Sequence, residues 1–251
     1  MVDVNGRWAL ITGASRGIGS LAAKFMAEHG CNLILQARKI GNLEKIVSEV
    51  RELGVEAVPV AAELSKPDAV EAMLKEIDAL GKDVDIVLNN AGLQVTYRND
   101  YLTTPVEDFE ESFRINTIAP MMITYHFLPK MTERGFGRIV NTTSGIRREP
   151  QQAGYSASKA ALDKVTMDLA SVYNGTDVMI SLADPGWCRT DLGGPAAPNS
   201  PESAIPGVVL GAFMDDKVSG RCFAAPLFHG MTFEEALEHA QTLPQYLGSL
   251  D

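Results

Sequence analysis

Short apolar runs alternate with segments of helical periodicity along most of this 251-residue chain. The apolar runs have the length of strands and occupy residues 7–12, 32–36, 56–60, 85–89, 137–141 and 178–182. The segments 41–54 and 66–81 show the helical repeat, and each ends in glycine, as helices commonly do. Repeated strand and helix units of this kind predict a parallel sheet with helices on both faces. Ligand sites are then expected beyond the carboxyl ends of the strands.

The length and composition of the chain fit one domain. With 45% hydrophobic residues it can bury a full core, and α/β folds of this size often form a single domain. The one compositional break is 191–207, where four prolines and three glycines disfavour a continuous helix or strand. No second domain of useful size follows this break. We therefore predict one domain over residues 1–251, with 191–207 as a mobile flap over a ligand site.

The formal net charge of −10 argues against a nucleic-acid or anionic-membrane partner, because such partners require clustered lysine and arginine. The first residues lack a signal-peptide pattern, and the longest charge-free stretch, 115–129, is too short and too polar to cross a bilayer. Cys31, Cys188 and Cys222 are far apart in sequence, so neither a disulfide framework nor a metal site is predicted. We expect a cytoplasmic protein that binds a small molecule.

A glycine-rich loop follows the first strand and opens a helical segment. Gly13, Gly17 and Gly19 stand where the chain must turn tightly, and the N–H groups at a helix N-terminus attract phosphate. Residues 17–22 fit the G-x-G-x-x-A form of the dinucleotide fingerprint. The alternative is a glycine-rich turn that serves packing alone. Its position directly after the first strand favours dinucleotide binding.

Several further motifs follow this loop in a fixed order. They are TGASRGIG at 12–19, NNAG at 89–92, Asn116, Ser144, Tyr155 with Lys159, and PGWCRT at 185–190. In order and spacing they resemble the short-chain dehydrogenases/reductases, in the shorter, YxxxK-type branch of that family. The resemblance covers residues 5–192 and implies a single-domain Rossmann fold, a doubly wound parallel sheet of about seven strands. It also implies an oxidoreductase similar to the NADP-preferring carbonyl reductases.

Tyr155 and Lys159 are four residues apart in a helical segment. Positions i and i+4 share a helix face, so the ammonium group is expected beside the phenol. A nearby positive charge favours the phenolate, and we therefore predict a lowered pKa that lets Tyr155 exchange a proton near neutral pH. The alternative is surface packing on an alanine-rich helix.

The resemblance implies a role for each of these residues. Tyr155 is the general acid in carbonyl reduction and the base in the reverse direction. Ser144 hydrogen-bonds the substrate oxygen, Lys159 also holds the nicotinamide ribose, and Asn116 anchors a water that extends the proton relay. Ser144 precedes Tyr155 by eleven positions, whereas many relatives have twelve or thirteen, so Thr143 is kept as a second candidate.

The residues around Asn116 support its assignment. Thr104 and Glu107 read as a capping box with Pro105 at the first helical position, which predicts a helix over 105–132. Pro120 lies inside that helix and has no N–H for the carbonyl of Asn116, which is then available to a water. The alternative is a simple kink for packing.

The cofactor preference depends on the end of the second strand. Sites that prefer NAD place an acid there to hold the ribose 2′-hydroxyl, but this chain has Ala37, then Arg38 and Lys39, with Arg16 in the glycine loop. Guanidinium groups bind a 2′-phosphate, so NADP(H) is favoured over NAD(H). The alternative is a solvated helix entrance. The predicted cofactor site comprises Gly13, Ser15, Arg16, Gly17, Ile18, Gly19, Arg38, Lys39, Glu63, Leu64, Asn90, Ala91, Gly92, Tyr155, Lys159, Pro185, Gly186, Cys188 and Thr190.

The substrate is less well specified by the sequence. The predicted pocket residues flank the catalytic segments and are Gln94, Arg147, Gln152 and Trp187. Arginines beside the site could bind a carboxylate or phosphate, yet solvated loop arginines are as common. The sequence favours reduction of a ketone or aldehyde, with 3-oxoacyl thioesters among the candidates. A non-catalytic NADP-binding sensor or scaffold is the alternative, although sensors of this fold typically lack the tyrosine or the lysine.

The end of the chain departs from the family pattern. Residues 220–230 are followed by 231–243, which are predicted to form an amphipathic helix, and the whole segment 221–251 is atypical. By resemblance, helices 105–132 and 155–173 are expected to pair across two-fold axes in a homodimer or homotetramer.

Overall fold

The computed structural model describes residues 1–246 and contains a sheet of seven parallel strands. The strands are β1 Trp8–Ile11, β2 Asn32–Ala37, β3 Ala57–Ala61, β4 Val84–Asn89, β5 Gly137–Thr142, β6 Val178–Asp184 and β7 Cys222–Ala224. Their order is β3-β2-β1-β4-β5-β6-β7, and every neighbouring pair is parallel. The strand order reverses beside β1, which is the point where a doubly wound sheet opens a crevice for ligands. The predicted fold class is confirmed.

Eight α-helices surround the sheet within the described residues. They are α1 Gly17–Glu28, α2 Glu44–Glu52, α3 Pro67–Ala79, α4 Val106–Phe113, α5 Ala119–Arg134, α6 Ala153–Tyr173, α7 Leu210–Phe213 and α8 Phe233–Thr242. Side chains alternate across each strand, so Ala9 and Ile11 of β1 enter one buried cluster while Trp8 and Leu10 enter the other. The first cluster includes residues of α1, α2, α7 and α8, and the second includes residues of α3, α5 and α6. The core therefore lies on both faces of the sheet.

The long helix predicted over 105–132 is interrupted by a wider turn. A π-helical segment, Arg114–Ile118, separates α4 from α5. Pro120 lies just after it, and since proline cannot bond the carbonyl four residues earlier, the widened turn accommodates its ring. The predicted capping box is wrong, because the Thr104 hydroxyl donates to the carbonyl of Tyr101 at 2.8 Å and Pro105 occupies the cap without a side-chain bond.

The amphipathic helix predicted after residue 230 is confirmed as α8. Thr232 and Glu235 form a capping box at its start, and Ala236, Leu237 and Ala240 are buried on its inner face. Arg221, itself buried, donates to the carbonyls of Gln241 and Leu243 and so satisfies the end of this helix. Of the segment predicted to be atypical, 221–251, residues 247–251 lie outside the described residues.

Two kinds of feature are absent from the described residues. Among residues 1–246 no helix combines the length and the apolar character needed to span a membrane. The same part of the chain holds no group of three or more His, Cys, Asp or Glu side chains arranged to bind a metal ion. Cys31, Cys188 and Cys222 are all free thiols.

Candidate active site

The glycine loop between β1 and α1 forms a cradle that side chains would fill. Gly13 has a φ of +65°, and a Cβ there would lie 2.9 Å from the Cα of Ala91. A Cβ on Gly19 would lie only 2.2 Å from the carbonyl oxygen of Gly13, so helix and loop meet without space for a methyl group. Gly17 has a φ of +56° and opens α1, whose first turn carries no acidic residue. The N-terminus of α1 is thereby open to an anion such as a pyrophosphate.

A buried glutamine on β2 fixes the cradle, and the sequence analysis did not identify it. The Gln36 side-chain oxygen accepts the N–H of Gly13 at 3.0 Å, and its amide nitrogen donates to the carbonyl of Ala62 at 2.9 Å. Gln36 is only 1% exposed. The signal was a single polar residue inside the apolar run NLILQ, because buried polar side chains are retained where they are hydrogen-bonded.

The turn after β4 packs against the same loop. Asn90 donates to the carbonyl of Thr12 at 3.1 Å, and the Thr12 hydroxyl accepts the N–H of Ala91 at 3.0 Å. A Cβ on Gly92 would lie 3.6 Å from the Asn116 side-chain oxygen and 3.7 Å from the Lys159 ammonium. The structure therefore brings the NNAG turn to both the glycine loop and the predicted catalytic residues.

The predicted cationic residues lie around the end of β2. Ala37 is buried, whereas Arg38 and Lys39 are exposed directly after it. Arg16 is also exposed and forms an ion pair with Asp191, at the start of the predicted flap, at 2.9 Å. A bound phosphate at Arg16 must therefore compete with Asp191.

Glu63 belongs to the predicted cofactor site. Its carboxylate accepts from the N–H and the hydroxyl of Ser65, at 3.3 and 3.1 Å. Leu64, which follows it, is buried. These contacts shape the loop after β3 at the same edge of the sheet as the end of β2, because β2 and β3 are parallel neighbours.

Tyr155 and Lys159 lie side by side on the buried face of α6. Tyr155 is 8% exposed and Lys159 is 4% exposed, which contradicts the alternative of surface packing. The Lys159 ammonium donates to the carbonyl of Thr142 at 2.7 Å and lies 6.0 Å from the centroid of the Tyr155 ring. The carboxyl end of β5 and the start of α6 thus converge on one point.

Burial sets the protonation of both groups. It raises the pKa of Tyr155 above its ordinary value, against the effect of a hydrogen bond with Ser144, and the charge of Asp184 raises it further. The prediction of a lowered pKa at Tyr155 is therefore wrong for this structure, because loss of solvent outweighs the Ser144 hydrogen bond. Burial also lowers the pKa of Lys159 to about 8, against the opposing effects of Asp163 and Asp184.

The two hydroxyl candidates point to different partners. Ser144 hydrogen-bonds Tyr155, and its oxygen accepts the N–H of Ile146 at 3.3 Å. Thr143 is buried and donates to the carboxylate of Asp163 instead. Ser144 is therefore the candidate whose hydroxyl lies beside Tyr155, the predicted acid.

Asn116 is fully buried in the π-helical turn and uses its side chain to position other parts of the site. Its oxygen accepts the N–H of Leu93 at 2.8 Å, and its amide nitrogen donates to the carbonyl of Leu93 and to Ser158 at 2.8 and 3.0 Å. The side chain thus ties the loop after β4 to α6. Pro120 leaves the Asn116 carbonyl without its usual helical donor, as predicted.

Two of the four predicted pocket residues contact each other, and the other two bond different parts of the chain. Gln94 donates to Gln152 at 2.6 Å, which joins the loops before α4 and α6. Trp187 is 56% exposed, with its indole N–H donating to the carbonyl of Gly193 at 2.8 Å. Arg147 is exposed and hydrogen-bonds Tyr246, a residue from the end of the described chain that the sequence analysis missed.

The segment after β6 is anchored at its base. Cys188 is buried, with its thiol on the carbonyl of Pro185 at 3.2 Å. The Arg189 guanidinium donates to the carbonyls of Ala197 and Pro198, at 3.1 and 2.6 Å. The first part of the predicted flap is therefore folded back onto the chain that leads from the sheet, beside the glycine loop, where a Cβ on Gly17 would lie 3.4 Å from the Thr190 methyl group.

Comparison with known proteins bears on the family of this chain. The sequence profile described as short chain dehydrogenase matches residues 7–200. The chain belongs to the short chain dehydrogenase family. Solved structures agree, since a short chain dehydrogenase from Shigella flexneri in complex with NADP shares 27% identity and a TM-score of 0.79 over 89% of this chain and 99% of that one.

Two curated relatives match this chain over part of their own length. A short chain dehydrogenase of Pseudocercospora fijiensis is 32% identical over 198 residues, which are 77% of this chain and 63% of that protein. The ketoacyl reductase HetN of Nostoc is 30% identical over 189 residues, which are 74% of this chain and 65% of that protein. The chain thus spans less than two thirds of the length of each.

Proposed function

We propose that this short chain dehydrogenase interconverts a ketone or aldehyde and the corresponding alcohol, with NADP(H) as its cofactor. The observation that carries this proposal is the pair of buried groups, Tyr155 and Lys159, with the half-buried Ser144 bonded to Tyr155, at the edge of the sheet where the glycine cradle lies. A buried tyrosine with a hydroxyl partner and an adjacent ammonium is an arrangement for proton transfer. The oxidoreductase class is that of the family; the particular reaction is our proposal.

The chain's own residues fit a dinucleotide. Gly13 and Gly19 let the loop pack closely against the turn after β4 and the start of α1, Gly17 opens α1, and the helix presents its N–H groups at this loop. When bound, the nicotinamide supplies the hydride. The loops after β4 and β6 would hold the remainder of the molecule, with Lys159 placed to bond the ribose.

Each polar group of the site has a distinct task in this proposal. Tyr155 donates its proton to the oxygen of the carbonyl substrate during reduction and accepts it during alcohol oxidation. Ser144 donates a hydrogen bond to the same oxygen. The raised pKa of Tyr155 keeps the phenol protonated at neutral pH, which suits a proton donor. Asn116 fixes the loop at Leu93, and its carbonyl is available to a water molecule.

The preference for NADP(H) over NAD(H) rests on charge. Ala37 places no carboxylate at the end of β2, and Arg38 is exposed there. A guanidinium attracts a 2′-phosphate, whereas a carboxylate at this place would repel it. The similarity to a structure solved with NADP supports this choice.

The substrate class is tested with a panel of carbonyl compounds and alcohols, followed by NADPH fluorescence. A 3-oxoacyl thioester belongs in the panel because a relative is named a ketoacyl reductase. The expected result is NADPH oxidation with at least one carbonyl compound. Binding of NADPH without oxidation by any compound would contradict the enzymatic proposal and favour a sensor.

A further inference from the structure

Asp184 closes β6 with its side chain between two loops of the candidate site. One carboxylate oxygen accepts the N–H of Gly186 at 2.9 Å. The carboxylate also accepts the N–H of Gly145, and a Cβ on Gly145 would lie 2.8 Å from its second oxygen. Gly145 directly follows Ser144, and Gly186 directly follows Pro185. One side chain therefore bonds the backbone of both the serine loop and the segment predicted to bind the cofactor.

The chemistry of these two bonds requires a carboxylate. An ionised carboxylate offers acceptor sites on both oxygens, while an asparagine has one acceptor oxygen and an amide that only donates. Bonds from N–H groups to a charged acceptor are also stronger than neutral ones. Burial raises the pKa of Asp184, and the two backbone N–H groups and the charge of Lys159 act in the opposite direction. The loops thus offset part of the cost of placing a charge there, and the pKa stays above its ordinary value.

The charge of Asp184 reaches both groups that transfer or stabilise the proton. It raises the pKa of Tyr155, which favours the protonated phenol, and it raises the pKa of Lys159, which favours the ammonium form. The other groups around this centre are Ser144, which hydrogen-bonds Tyr155, and Asp163, which acts on Lys159. Both carboxylates raise the pKa of Lys159, but of the two only Asp184 also raises the pKa of Tyr155, so the effect on Tyr155 distinguishes them.

We propose that Asp184 is a positioning residue, whose carboxylate ties the Ser144 loop to the Gly186 loop beside the candidate proton donor. This inference rests on the proposed carbonyl reduction. In this proposal, Asp184 sets the distance between Ser144, which bonds the substrate oxygen, and the segment at Gly186 that binds the cofactor. The proposal also predicts that the site is biased toward proton donation.

The test compares Asp184→Asn and Asp184→Ala with the matched control Asp163→Asn. The first measurement is amide hydrogen exchange at Gly145 and Gly186 in the protein without cofactor. Both amides should lose protection in Asp184→Ala, one of them in Asp184→Asn, and neither in the control. Unchanged exchange at both amides in Asp184→Ala would overturn the tie, whether or not the protein reduces any carbonyl compound. Should Asp184→Ala fail to fold, Asp184→Asn provides the same comparison.

The second measurement is the pH dependence of kcat for carbonyl reduction with saturating NADPH. Asp184→Asn should lower kcat by about 2- to 12-fold, the value of one net hydrogen bond. Its alkaline limb should move to lower pH, because Tyr155 loses its proton more easily without the neighbouring charge. Asp163→Asn should leave the limb that belongs to Tyr155 in place, because Asp163 acts on Lys159 instead. A fall in kcat with an unmoved limb would refute the electrostatic part of the proposal. An absence of turnover in the wild-type protein would refute the proposed function instead, and hydrogen exchange would still decide the tie.

Discussion

At the scale of single residues, burial controls the chemistry of the site. Tyr155 and Lys159 are both nearly inaccessible, and each is shifted toward its neutral form, with the pKa of Lys159 near 8. A tyrosine that stays protonated is a suitable acid for carbonyl reduction. Because its pKa is about 8, modest changes in the surroundings of Lys159 alter its charge near neutral pH.

Replacement of the tyrosine hydroxyl tests the proton donor directly. Tyr155→Phe should lower kcat about 10²- to 10⁴-fold, the usual contribution of general acid catalysis, since the ring stays and the proton is lost. NADPH binding, followed by fluorescence, should be retained and serves as the control. Activity within a few-fold of the wild type would sink the assignment.

Replacing each of the two candidate hydroxyls, Ser144 and Thr143, should change a different property of the protein. Ser144→Ala should lower kcat about 10²-fold, because a donor to the substrate oxygen is removed. Thr143→Ala should act chiefly on stability, by roughly 1.5–3 kcal/mol, because it removes a hydrogen bond to the buried Asp163 carboxylate. Steady-state kinetics and urea unfolding measure the two effects. The reverse pattern would make Thr143 the partner of the substrate.

The pKa of Asp163 predicts how the free energy of unfolding changes with pH. Burial raises its pKa from 3.8 to about 6, so between these values the folded state binds more protons than the unfolded state. The contribution of Asp163 to the free energy of unfolding must therefore fall as pH rises from about 4 to about 6. Asp163→Asn should remove this slope, measured as the difference between variant and wild type in urea unfolding at several pH values. Parallel curves for the two proteins would contradict the buried charge.

At the scale of elements, the helix entrances decide what the fold can bind. The N-terminus of α1 faces the turn after β4 through Gly13 and Gly19, and the end of β2 carries Arg38 toward solvent. The π-helical segment Arg114–Ile118 places Asn116 where it holds the loop at Leu93. Each of these features is a strand end or a helix end, where backbone groups lack partners within their own element.

Cofactor choice belongs to the turn between β2 and α2. Arg38→Ala should weaken NADPH binding by about 10- to 150-fold, the equivalent of roughly 1.5–3 kcal/mol for a charge-assisted hydrogen bond, and leave NADH binding nearly unchanged. The double change Ala37→Asp, Arg38→Ile should move the preference toward NADH, because a carboxylate repels the phosphate and accepts from the ribose. Kd values for both cofactors, measured at one salt concentration, decide this.

A matched control for the cofactor experiment is Lys75→Ala, an exposed cation on α3. It changes the net charge as much as Arg38→Ala does, and NADPH binding should stay within about twofold. If Arg38→Ala weakens NADH and NADPH equally, Arg38 is a solvated surface charge.

At the scale of the whole molecule, α4 to α6 carry exposed apolar side chains. Val106 is 62% exposed, Tyr125 55% and Val172 72%, and Ile118 in the π-helical segment is also exposed. Apolar side chains of this kind on neighbouring helices favour an interface. We propose that these helices pair with those of a second copy, as the resemblance implied.

Sedimentation velocity tests the assembly. The wild-type protein should sediment as a dimer or tetramer at micromolar concentration, and Val172→Glu should shift it toward smaller species, because a charge would be buried in the interface. Leu53→Glu, at an exposed apolar residue after α2, should leave the sedimentation unchanged. A monomeric wild-type protein would refute the assembly.

The sequence by itself determined six of the seven strands, but not β7, together with the glycine loop and the spacing of Tyr155 and Lys159. These features are local: a strand alternates every two residues, a helix repeats every 3.6, and a turn is specified by its own glycines. The helix α8 could be predicted from the sequence for the same reason, because its apolar period and its cap lie within one short segment.

The tertiary structure alone decided which distant residues meet and how much solvent each one loses. Gln36 on Gly13, Arg16 on Asp191, and Asp184 on Gly145 are contacts between residues far apart along the chain. The pKa of Tyr155 took the opposite direction to the one predicted, because burial sums over every element packed around the phenol. Spacing along a helix fixes which residues are neighbours, but the dielectric environment they share is set only when the sheet, the loops and the end of the chain close around them.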